Sequence, residues 1–385
     1  MVTKKAGKRG RKAIVAKDVE RRRAKGIYFN LVLLASLIVT IFLTSMFGSV
    51  GPIGYNTPNN IDKMPPQAVF DILIGQGARW NQTYSIIVLE VRLPRIVMAA
   101  LVGCALGVAG AIMQALFRNP MADPYVLGLS SGAALGASAT LVVPITVFTV
   151  VGAGVAIQFS NTEVLLPFLT FAGSLGTIFL VYNIARTGGK VNTDTLLLSG
   201  IAVSAFLGSI VMFLLFVKEK QFGSLFFWML GGFSGINWEK VAVIAPVVLV
   251  CVIVTAFYRK DLNLLLTGED TAKHLGMDVE KVKQTLLVLA SLLTGISVAF
   301  AGIIGFVGLI VPHIVRLRVG PDHRYLILAS ALAGAIFLVW VDTIARTILG
   351  QSELPVGIIT AMSGGPFFLY LLRTSRRSGR WMFGG

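Results

Sequence analysis

Apolar runs of about 20 residues recur along this chain, and they constrain its fold more than any other feature. A helix of that length crosses the hydrocarbon layer of a bilayer. Hydrophobic residues make up 55% of the 385 residues and charged residues 14%, whereas a soluble domain carries about 25% charged residues. The sequence therefore predicts an all-α fold, a polytopic transmembrane helical bundle.

The apolar runs predict about ten spans per subunit. They cover residues 27–47, 93–117, 126–148, 165–185, 195–217, 240–258, 284–302, 304–318, 326–344 and 355–372. The seventh and eighth are hard to separate, because 284–311 is one apolar stretch. Two interpretations of 133–163 stay open, since Pro144 interrupts it and 150–157 is long enough for a short extra helix.

Basic residues fall mainly in alternate connecting segments, and this bias orients the bundle. With the N-terminus inside, the whole formal excess of +16 falls on the inner side, as the positive-inside rule expects. We therefore expect a multi-pass protein with both termini in the cytoplasm and an even number of spans. The domains are a basic cytoplasmic tail over 1–26, a membrane domain over 27–375 and a cytoplasmic C-terminal tail over 376–385.

The basic tail explains the high isoelectric point without nucleic acid. It lies directly before the first span, where a polybasic segment fixes orientation or contacts anionic lipid headgroups of the bilayer. We therefore expect no nucleic-acid partner. A cleaved signal peptide is not expected either, because the basic lead is far too long for one.

Several kinds of chemistry lack a matching pattern in the sequence. The Gly-Gly-Lys at 188–190 has neither the first glycine nor the hydroxyl residue of a phosphate-binding loop. No histidine–cysteine cluster suggests a metal cage. Asp123, Asp194 and Asp342 lie at or beyond the ends of predicted spans, whereas carriers driven by ion gradients usually keep carboxylates inside the membrane. Any uphill transport would therefore draw its energy from another subunit.

The segment 102–128 can be laid on 294–320 without a gap. Four pairs then match: Gly103 with Gly295, Gly110 with Gly302, Pro120 with Pro312, and Gly128 with Gly320. The offset is about half the chain, and the two segments run in opposite directions through the membrane. The pattern predicts an inverted repeat of spans 2–5 and 7–10, a common transporter design.

The 259–283 loop is the most polar internal segment, and its spacing predicts two short helices broken at Gly268 and Gly276. Glu269, Asp270 and Lys273 would share one side. The opposite side would be apolar, made of Leu265, Leu266, Ala272 and Leu275. Two interpretations are open: a solvated loop with a packed apolar face, or a docking element for a cytoplasmic partner.

A set of ordered motifs carries a family resemblance. They are RLPR (92–95), GxxxQxLFRNPxADPxxLGxSSGA (110–133), LLLSGIAVSAF (196–206), WMLGGFSGINW (228–238), LNLLLTGEDTAKHLG (262–276), GFVGLIVPHIVRL (305–317), GPDHR (320–324) and ELPVGIITAMSGGPFFLYLL (353–372). The chain resembles the permease subunit of the FecCD family of type II ATP-binding-cassette importers. That family takes up iron–siderophore complexes, haem and cobalamin across prokaryotic cell membranes.

The resemblance implies an assembly. Two permease copies, here a homodimer, sit on an ABC ATPase dimer, and an extracytoplasmic substrate-binding protein delivers the ligand. Arg92, Arg95 and Arg346 match outward arginines that pair with acidic groups of that binding protein. The alternative from sequence alone is that these arginines extend to the membrane interface. The chain itself would bind no cofactor, because ATP and Mg²⁺ belong to the partner ATPase.

The resemblance also implies gates and a coupling site. The turn after the second span matches an inner gate with Asn119 and Met121. The start of the fifth span matches a second gate with Thr193 and Asp194, although Asp194 replaces the usual small hydroxyl residue. The 259–283 loop matches the coupling helices that seat in the ATPase, through Leu266, Gly268, Glu269, Ala272, Leu275 and Gly276.

These features predict a non-enzymatic permease subunit that moves an iron–siderophore inward by alternating access. Haem and cobalamin are the alternative cargoes within the family. A stand-alone channel or carrier, and a membrane-embedded enzyme, are the rivals from other classes. The basic tail and the outer segments around 49–84 and 142–163 depart from the family pattern.

Overall fold

The computed structural model describes residues 2–47, 66–142, 148–152, 155–159, 165–187, 190–218, 222–349 and 352–378. Within these ranges the chain forms fifteen α-helices. They are α1 Val2–Met46, α2 Pro66–Leu73, α3 Gln82–Ile86, α4 Leu93–Leu116, α5 Leu129–Val142, α6 Leu166–Ala185, α7 Thr193–Val217, α8 Phe222–Met229, α9 Trp238–Phe257, α10 Arg259–Leu265, α11 Glu269–His274, α12 Val279–Ala301, α13 Val307–Val319, α14 His323–Thr347 and α15 Val356–Ser378.

Shorter elements complete the described chain. A 3₁₀ turn covers Gly77–Arg79, a π-helical stretch Ile87–Arg92 joins α3 to α4, and a second 3₁₀ turn covers Pro124–Leu127. Two antiparallel hairpins pair β1 Phe148–Gly152 with β2 Val155–Phe159 and β3 Arg186–Thr187 with β4 Lys190–Val191. The molecule is a helical bundle, as predicted, with two small hairpins at its loops.

The predicted count of ten spans corresponds to eight long helical segments and two short ones. Among the described residues, eight segments are long and apolar enough to cross a membrane: Arg23–Met46, Gln82–Leu116, Leu166–Ala185, Thr193–Val217, Trp238–Phe257, Val279–Ala301, His323–Thr347 and Val356–Arg373. The third and eighth predicted spans are α5 with 14 residues and α13 with 13. Each is about 20 Å long at 1.5 Å per residue, less than the ~30 Å hydrocarbon core.

Two ambiguous regions of the sequence are decided by the backbone. The stretch 284–311 is two helices, because the chain turns at Gly302 and Phe306, both with φ of 68°. The extra helix considered at 150–157 is wrong, since β1 and β2 pair Val150 with Ile157. Valine and isoleucine are stiff at χ1 and favour such extended pairing. Pro144 lies outside the described residues.

Helix α1 combines the basic tail and the first span. It runs without a break from Val2 to Met46, so the tail predicted over 1–26 continues the axis of the membrane helix. Its span packs on α14, where Tyr325 lies against Gly26 and the Asn30 side-chain amide donates to the Tyr325 carbonyl at 3.4 Å. Of the C-terminal tail, 376–378 extends α15 and 379–385 lies outside the described residues.

Helix α4 is the centre of the bundle. Most of its residues are buried, and it packs on α9, α12, α13 and α14. Two close approaches depend on glycine: a Cβ on Gly103 would overlap the Gly334 carbonyl, and one on Gly110 would overlap Gly308. Small residues allow helix backbones to approach this closely in membranes. The peripheral helices α7, α9 and α15 leave large apolar side chains exposed.

The order of elements repeats, but the proposed residue alignment does not follow it. Each half has a long helix, a short one and two long ones: α4 to α7, then α12 to α15. The gapless alignment nevertheless places Gly110, inside α4, on Gly302, where α12 ends. It also places Pro120, in the turn after α4, on Pro312, inside α13. That residue correspondence is wrong, because glycine-rich apolar segments match one another without sharing a backbone path.

Candidate functional site

Residues that the charge pattern assigned to the same side of the membrane contact one another in the structure, as Arg95 does with Asp342. We therefore name the end of the bundle that carries Arg95 and Asp342 the outer end, and the end that carries α10 and α11 the inner end. The outer end holds a charged cluster. The inner end holds the two segments predicted as gates, which we call the first gate turn and the second gate segment. It also holds the two short helices predicted to contact an ATPase, α10 and α11, which we call the coupling helices.

Arg95 is the centre of the outer cluster. Its Nε and Nη2 donate to both carboxylate oxygens of Asp342, at 2.8 to 3.1 Å. Its Nη1 donates to both oxygens of Glu353, at 2.8 and 3.0 Å. The Arg95 side chain is 11% exposed and Asp342 is 1% exposed. One guanidinium thus links α4, α14 and the loop before α15.

Glu353 is the more accessible partner, with 33% of its side chain exposed. Its Oε2 also accepts from the Ser234 hydroxyl at 2.9 Å. Partial burial works against ionisation, but Arg95 and Ser234 outweigh it and hold the pKa of Glu353 below its ordinary value. A cavity of about 300 Å³ opens beside the pair and is lined by Arg95, Glu353, Phe227, Trp228, Phe233 and Phe300, among others.

Arg92 and Arg346 hold the end of α1. The Arg92 Nη1 donates to the carbonyls of Ser45 and Met46, at 2.9 and 3.2 Å, and the Arg346 Nη2 donates to Thr44 at 3.1 Å. These carbonyls belong to the last turn of α1, where carbonyl oxygens have no N–H partner within the helix. The negative end of the helix dipole also favours a positive charge there. Both arginines are nearly fully buried, at 3% and 2% exposure.

This placement corrects the expectation of three outward docking arginines. In this structure α1 covers Arg92 and Arg346, so neither guanidinium reaches the outer surface. Local sequence patterns do not indicate these contacts, because they join positions 46 to 302 residues apart. Asp342 lies near the outer end of α14 and is balanced by Arg95 and by Arg346, whose Nε is 3.7 Å from Oδ2.

The first gate turn, residues 117–128, is shaped by side-chain caps. The Asn119 Oδ1 accepts from the Met121 backbone at 2.9 Å, and the Asp123 Oδ1 accepts from Tyr125 at 2.8 Å. Met121 packs with Leu309, Ile310, Leu371 and their neighbours. Burial raises the pKa of Asp123 to about 6, against the opposing effect of the Tyr125 hydrogen bond. Asn119 thus fixes the turn, and Met121 is its apolar contact with α13 and α15.

The second gate segment, residues 192–195, begins α7. Asn192 is the N-cap, and its Oδ1 accepts from Asp194 at 2.8 Å. Thr193 is half-buried and Asp194 is exposed in the first helical turn. The positive end of the helix dipole stabilises a carboxylate in the first turn, so an acidic residue is favourable at this position. Farther along α7, Gly200 packs on the first gate turn: a Cβ on it would lie 2.9 Å from the Leu127 Cα.

The coupling loop predicted over 259–283 folds into α10, α11 and the start of α12, as the spacing of glycines predicted. Gly268 separates the two short helices as the N-cap residue of α11, and Gly276 separates α11 from α12, with φ of 109° and 86°. Leu265 and Ala272 are buried and Leu266 is half-buried. Leu275, the C-cap residue of α11, is 64% exposed and is not buried with Leu265 and Ala272.

The coupling helices are tied to the inner ends of several other helices. The Asn263 side chain donates to Asp322 at 2.8 Å and accepts from the His323 backbone at 2.9 Å, which fixes α10 to the start of α14. Partial burial disfavours ionised Asp322, but hydrogen bonds from Arg324 outweigh it and hold the pKa below its ordinary value. In the first gate turn, the Arg118 Nη1 lies 3.6 Å from where a Gly268 Cβ would stand.

Two charged residues of α12 were not singled out from the sequence. The Lys283 Nζ donates to the Val191 carbonyl at 2.8 Å and to the Glu269 carboxylate at 3.0 Å. The Glu280 carboxylate accepts from the Val191 backbone at 3.2 Å. Their spacing of three residues places both on one helix face. That spacing could have drawn attention to Glu280 and Lys283 in the sequence, but nothing in the sequence indicated that both bind Val191.

The chain is similar to several importer permeases. The pattern of the FecCD transport family matches residues 58–374. The cobalamin import system permease protein BtuC of Halobacterium salinarum is 48% identical over 292 residues, 76% of this chain and 74% of the relative. The hemin transport system permease protein HmuU of Yersinia pestis is 40% identical over 298 residues, 76% of this chain and 85% of the relative.

A solved structure shares the architecture. It is a metal-chelate type ABC transporter in an inward-facing conformation, with a TM-score of 0.72 and 28% identity. The match covers 90% of this chain and 98% of that one. The similarity in backbone path therefore extends over most of the chain.

Proposed function

Because this chain belongs to the FecCD transport family, whose members are multi-pass permease subunits of ABC importers, we propose that it moves a metal–organic chelate inward by alternating access. A separate ATPase dimer supplies the energy. The chain performs no covalent chemistry: it provides a path, two gates and a coupling site. It lies in a prokaryotic cell membrane with both termini in the cytoplasm.

One observation carries the proposal: the coupling helices lie beside the first gate turn and are linked through Lys283 to the residue before the second gate segment. Gly268 lies beside Arg118 of the first gate turn, and Glu269 is bonded to Lys283, which also holds Val191 before the second gate segment. Exposed Leu275 offers an apolar contact to a cytoplasmic partner. A movement imposed on α11 would therefore be passed to the first gate turn through Arg118 and to the second gate segment through Lys283 and Val191. A stand-alone channel or carrier has no use for such an element.

The binding protein docks at the outer end through Arg95. Its acidic groups exchange with Glu353, the accessible partner of Arg95, while buried Asp342 keeps the guanidinium in place. Arg92 and Arg346 act indirectly by fixing the end of α1. Charged rims of this kind set orientation and encounter rate more than final affinity. A second copy of the chain completes the pathway, with α7 and α15 presenting exposed apolar side chains toward it or toward lipid.

The cargo is an iron–siderophore or a corrinoid. Among the cargoes of the family that the motifs indicate, iron–siderophores are the most frequent, and haem is a further alternative. A specific observation favours testing the corrinoid in parallel: the relative named for cobalamin import shares 48% identity, against 40% for the one named for hemin.

The test is reconstitution in proteoliposomes with the cognate ATPase and binding protein. ATP hydrolysis is measured with a ferric hydroxamate, cyanocobalamin and haemin as separate probes. We expect one probe to stimulate hydrolysis and to accumulate inside. Gly268→Ala, which strains a backbone at φ of 109°, should abolish this coupling, while Gly176→Ala in α6, with open space around it, should not. Failure of the ATPase to bind, together with transport in its absence, would establish the stand-alone carrier instead.

A further inference from the structure

Lys283 is a buried cation with two partners in different functional elements. Its side chain is 6% exposed. The Nζ donates to the Val191 carbonyl at 2.8 Å and to the Glu269 carboxylate at 3.0 Å. A buried ammonium requires such partners, because transfer out of water is otherwise strongly unfavourable. The contact with Glu269 therefore fixes the distance between α11 and Val191.

Val191 is held on both of its backbone groups by α12. Glu280 accepts from its N–H, and Lys283 donates to its carbonyl. The next residue, Asn192, caps α7, so the position of Val191 sets where the second gate segment begins. The β3–β4 hairpin, which pairs Arg186 with Val191, enters the same point from α6.

We propose that Lys283 is a positioning residue that transmits movement of α11 to the second gate segment, residues 192–195. The connection runs from Glu269 through the Lys283 ammonium to the Val191 carbonyl. Charge-assisted hydrogen bonds are shorter and about twice as strong as neutral ones, which suits a contact that must hold under displacement. This inference rests on the proposed coupling to an ATPase.

A purely structural role for Lys283 predicts a different result. Loss of the contact would then lower stability and reduce transport and ATP hydrolysis together. A transmitting role predicts that hydrolysis continues while transport per ATP falls. The second gate segment would also stop responding to the nucleotide state.

The experiment uses the full complex in proteoliposomes. Ligand-stimulated hydrolysis and transport are first measured with wild type, using the probe that proves active among the ferric hydroxamate, cyanocobalamin and haemin. If wild type shows neither, the proposed function fails before Lys283 is tested. With an active wild type, Lys283→Gln should keep ATP hydrolysis and lower transport per ATP by about tenfold, the scale of one hydrogen bond to a charged group. Lys283→Arg should restore part of the ratio.

Hydrogen–deuterium exchange gives a second readout. In wild type, trapping the ATPase with ATP and vanadate should change the protection of amides in both 269–274 and 191–195. In Lys283→Gln only the change at 269–274 should remain. Lys281→Ala, on the same helix with an 83% exposed side chain, is the matched control and should behave as wild type.

Two outcomes overturn the proposal. One is an unchanged transport-to-ATP ratio in folded Lys283→Gln, and the other is a parallel loss of transport and hydrolysis. If Lys283→Gln does not fold, Glu269→Gln breaks the same contact from a side chain that is 31% exposed. It should lower the ratio in the same direction, and an unchanged ratio there also rejects the transmitting role.

Discussion

Arg95 donates three hydrogen bonds to Asp342 and so joins α4 to α14 across 247 positions of sequence. Asp342 is almost fully buried, and Arg95 nearly so. The contact joins the two halves of the chain at the outer end. It also orients Arg95 so that its remaining nitrogen faces Glu353.

Asp342→Asn should strongly destabilise the protein. The substitution leaves Arg95 and Arg346 without their shared buried carboxylate, and loss of one partner of a buried pair costs about 3–5 kcal/mol. Thermal unfolding of the detergent-solubilised protein should show a lowered midpoint and a reduced yield. Asp278→Asn is the control, because the Asp278–Lys281 pair is exposed. Equal stability of the two variants would contradict the assigned importance of the buried pair.

The Glu353 contact should weaken in acid. The folded-state pKa of Glu353 lies below its ordinary value of 4.5, so its ionised form favours the folded state. That contribution is complete above pH 4.5 and is lost as the pH falls through the folded-state pKa. The gap in unfolding midpoint between wild type and Glu353→Gln, measured from pH 7 to pH 3, should therefore close below pH 4.5. A gap that is constant over this range would refute the ion pair.

Glu353→Gln should also strengthen docking of the binding protein. The change removes the internal competitor for Arg95 and leaves one uncompensated positive charge at the outer end. We expect tighter binding of the purified cognate binding protein, measured by surface plasmon resonance, with a steeper dependence on salt. Arg95→Gln should weaken binding. Unchanged affinity in both variants would remove Arg95 from the docking site.

Gly103→Val should prevent close packing of α4 on α14. A Cβ at this position would overlap the Gly334 carbonyl and crowd Leu338, and overpacking of this kind costs about 1–3 kcal/mol. Gly208→Val in α7 is the matched control, since nothing lies within 4 Å of a Cβ there. Size-exclusion profiles of the solubilised variants should show loss of folded protein for Gly103→Val alone.

Leu275→Ala should weaken attachment of the ATPase. Its side chain is 64% exposed at the end of α11, and burying a leucine in an interface contributes about 1.5–3 kcal/mol. Co-purification of the ATPase should fall by about tenfold. Ile74→Ala changes a half-exposed apolar side chain at the outer end and should leave co-purification unchanged. A similar loss from both would indicate a general effect on folding.

Much of the fold and part of the site follow from local sequence. Apolar runs of membrane-spanning length gave the helices, because span length is a property of each segment alone. Gly268 and Gly276 indicated the two coupling helices, because a glycine with positive φ interrupts helical geometry without strain. The ordered motifs gave the family, and the charge of alternate loops indicated which ends of the helices lie together.

The tertiary structure alone decided which charges meet. It buried Arg92 and Arg346 under α1, paired Arg95 with Asp342 and Glu353, and brought Lys283 to Val191 and Glu269. It also left Leu275 exposed. The helices of the two halves do not follow the gapless alignment of 102–128 with 294–320. These outcomes depend on packing between segments up to 302 positions apart, and the pairing of buried charges follows that packing because each charge must find a partner inside the bundle.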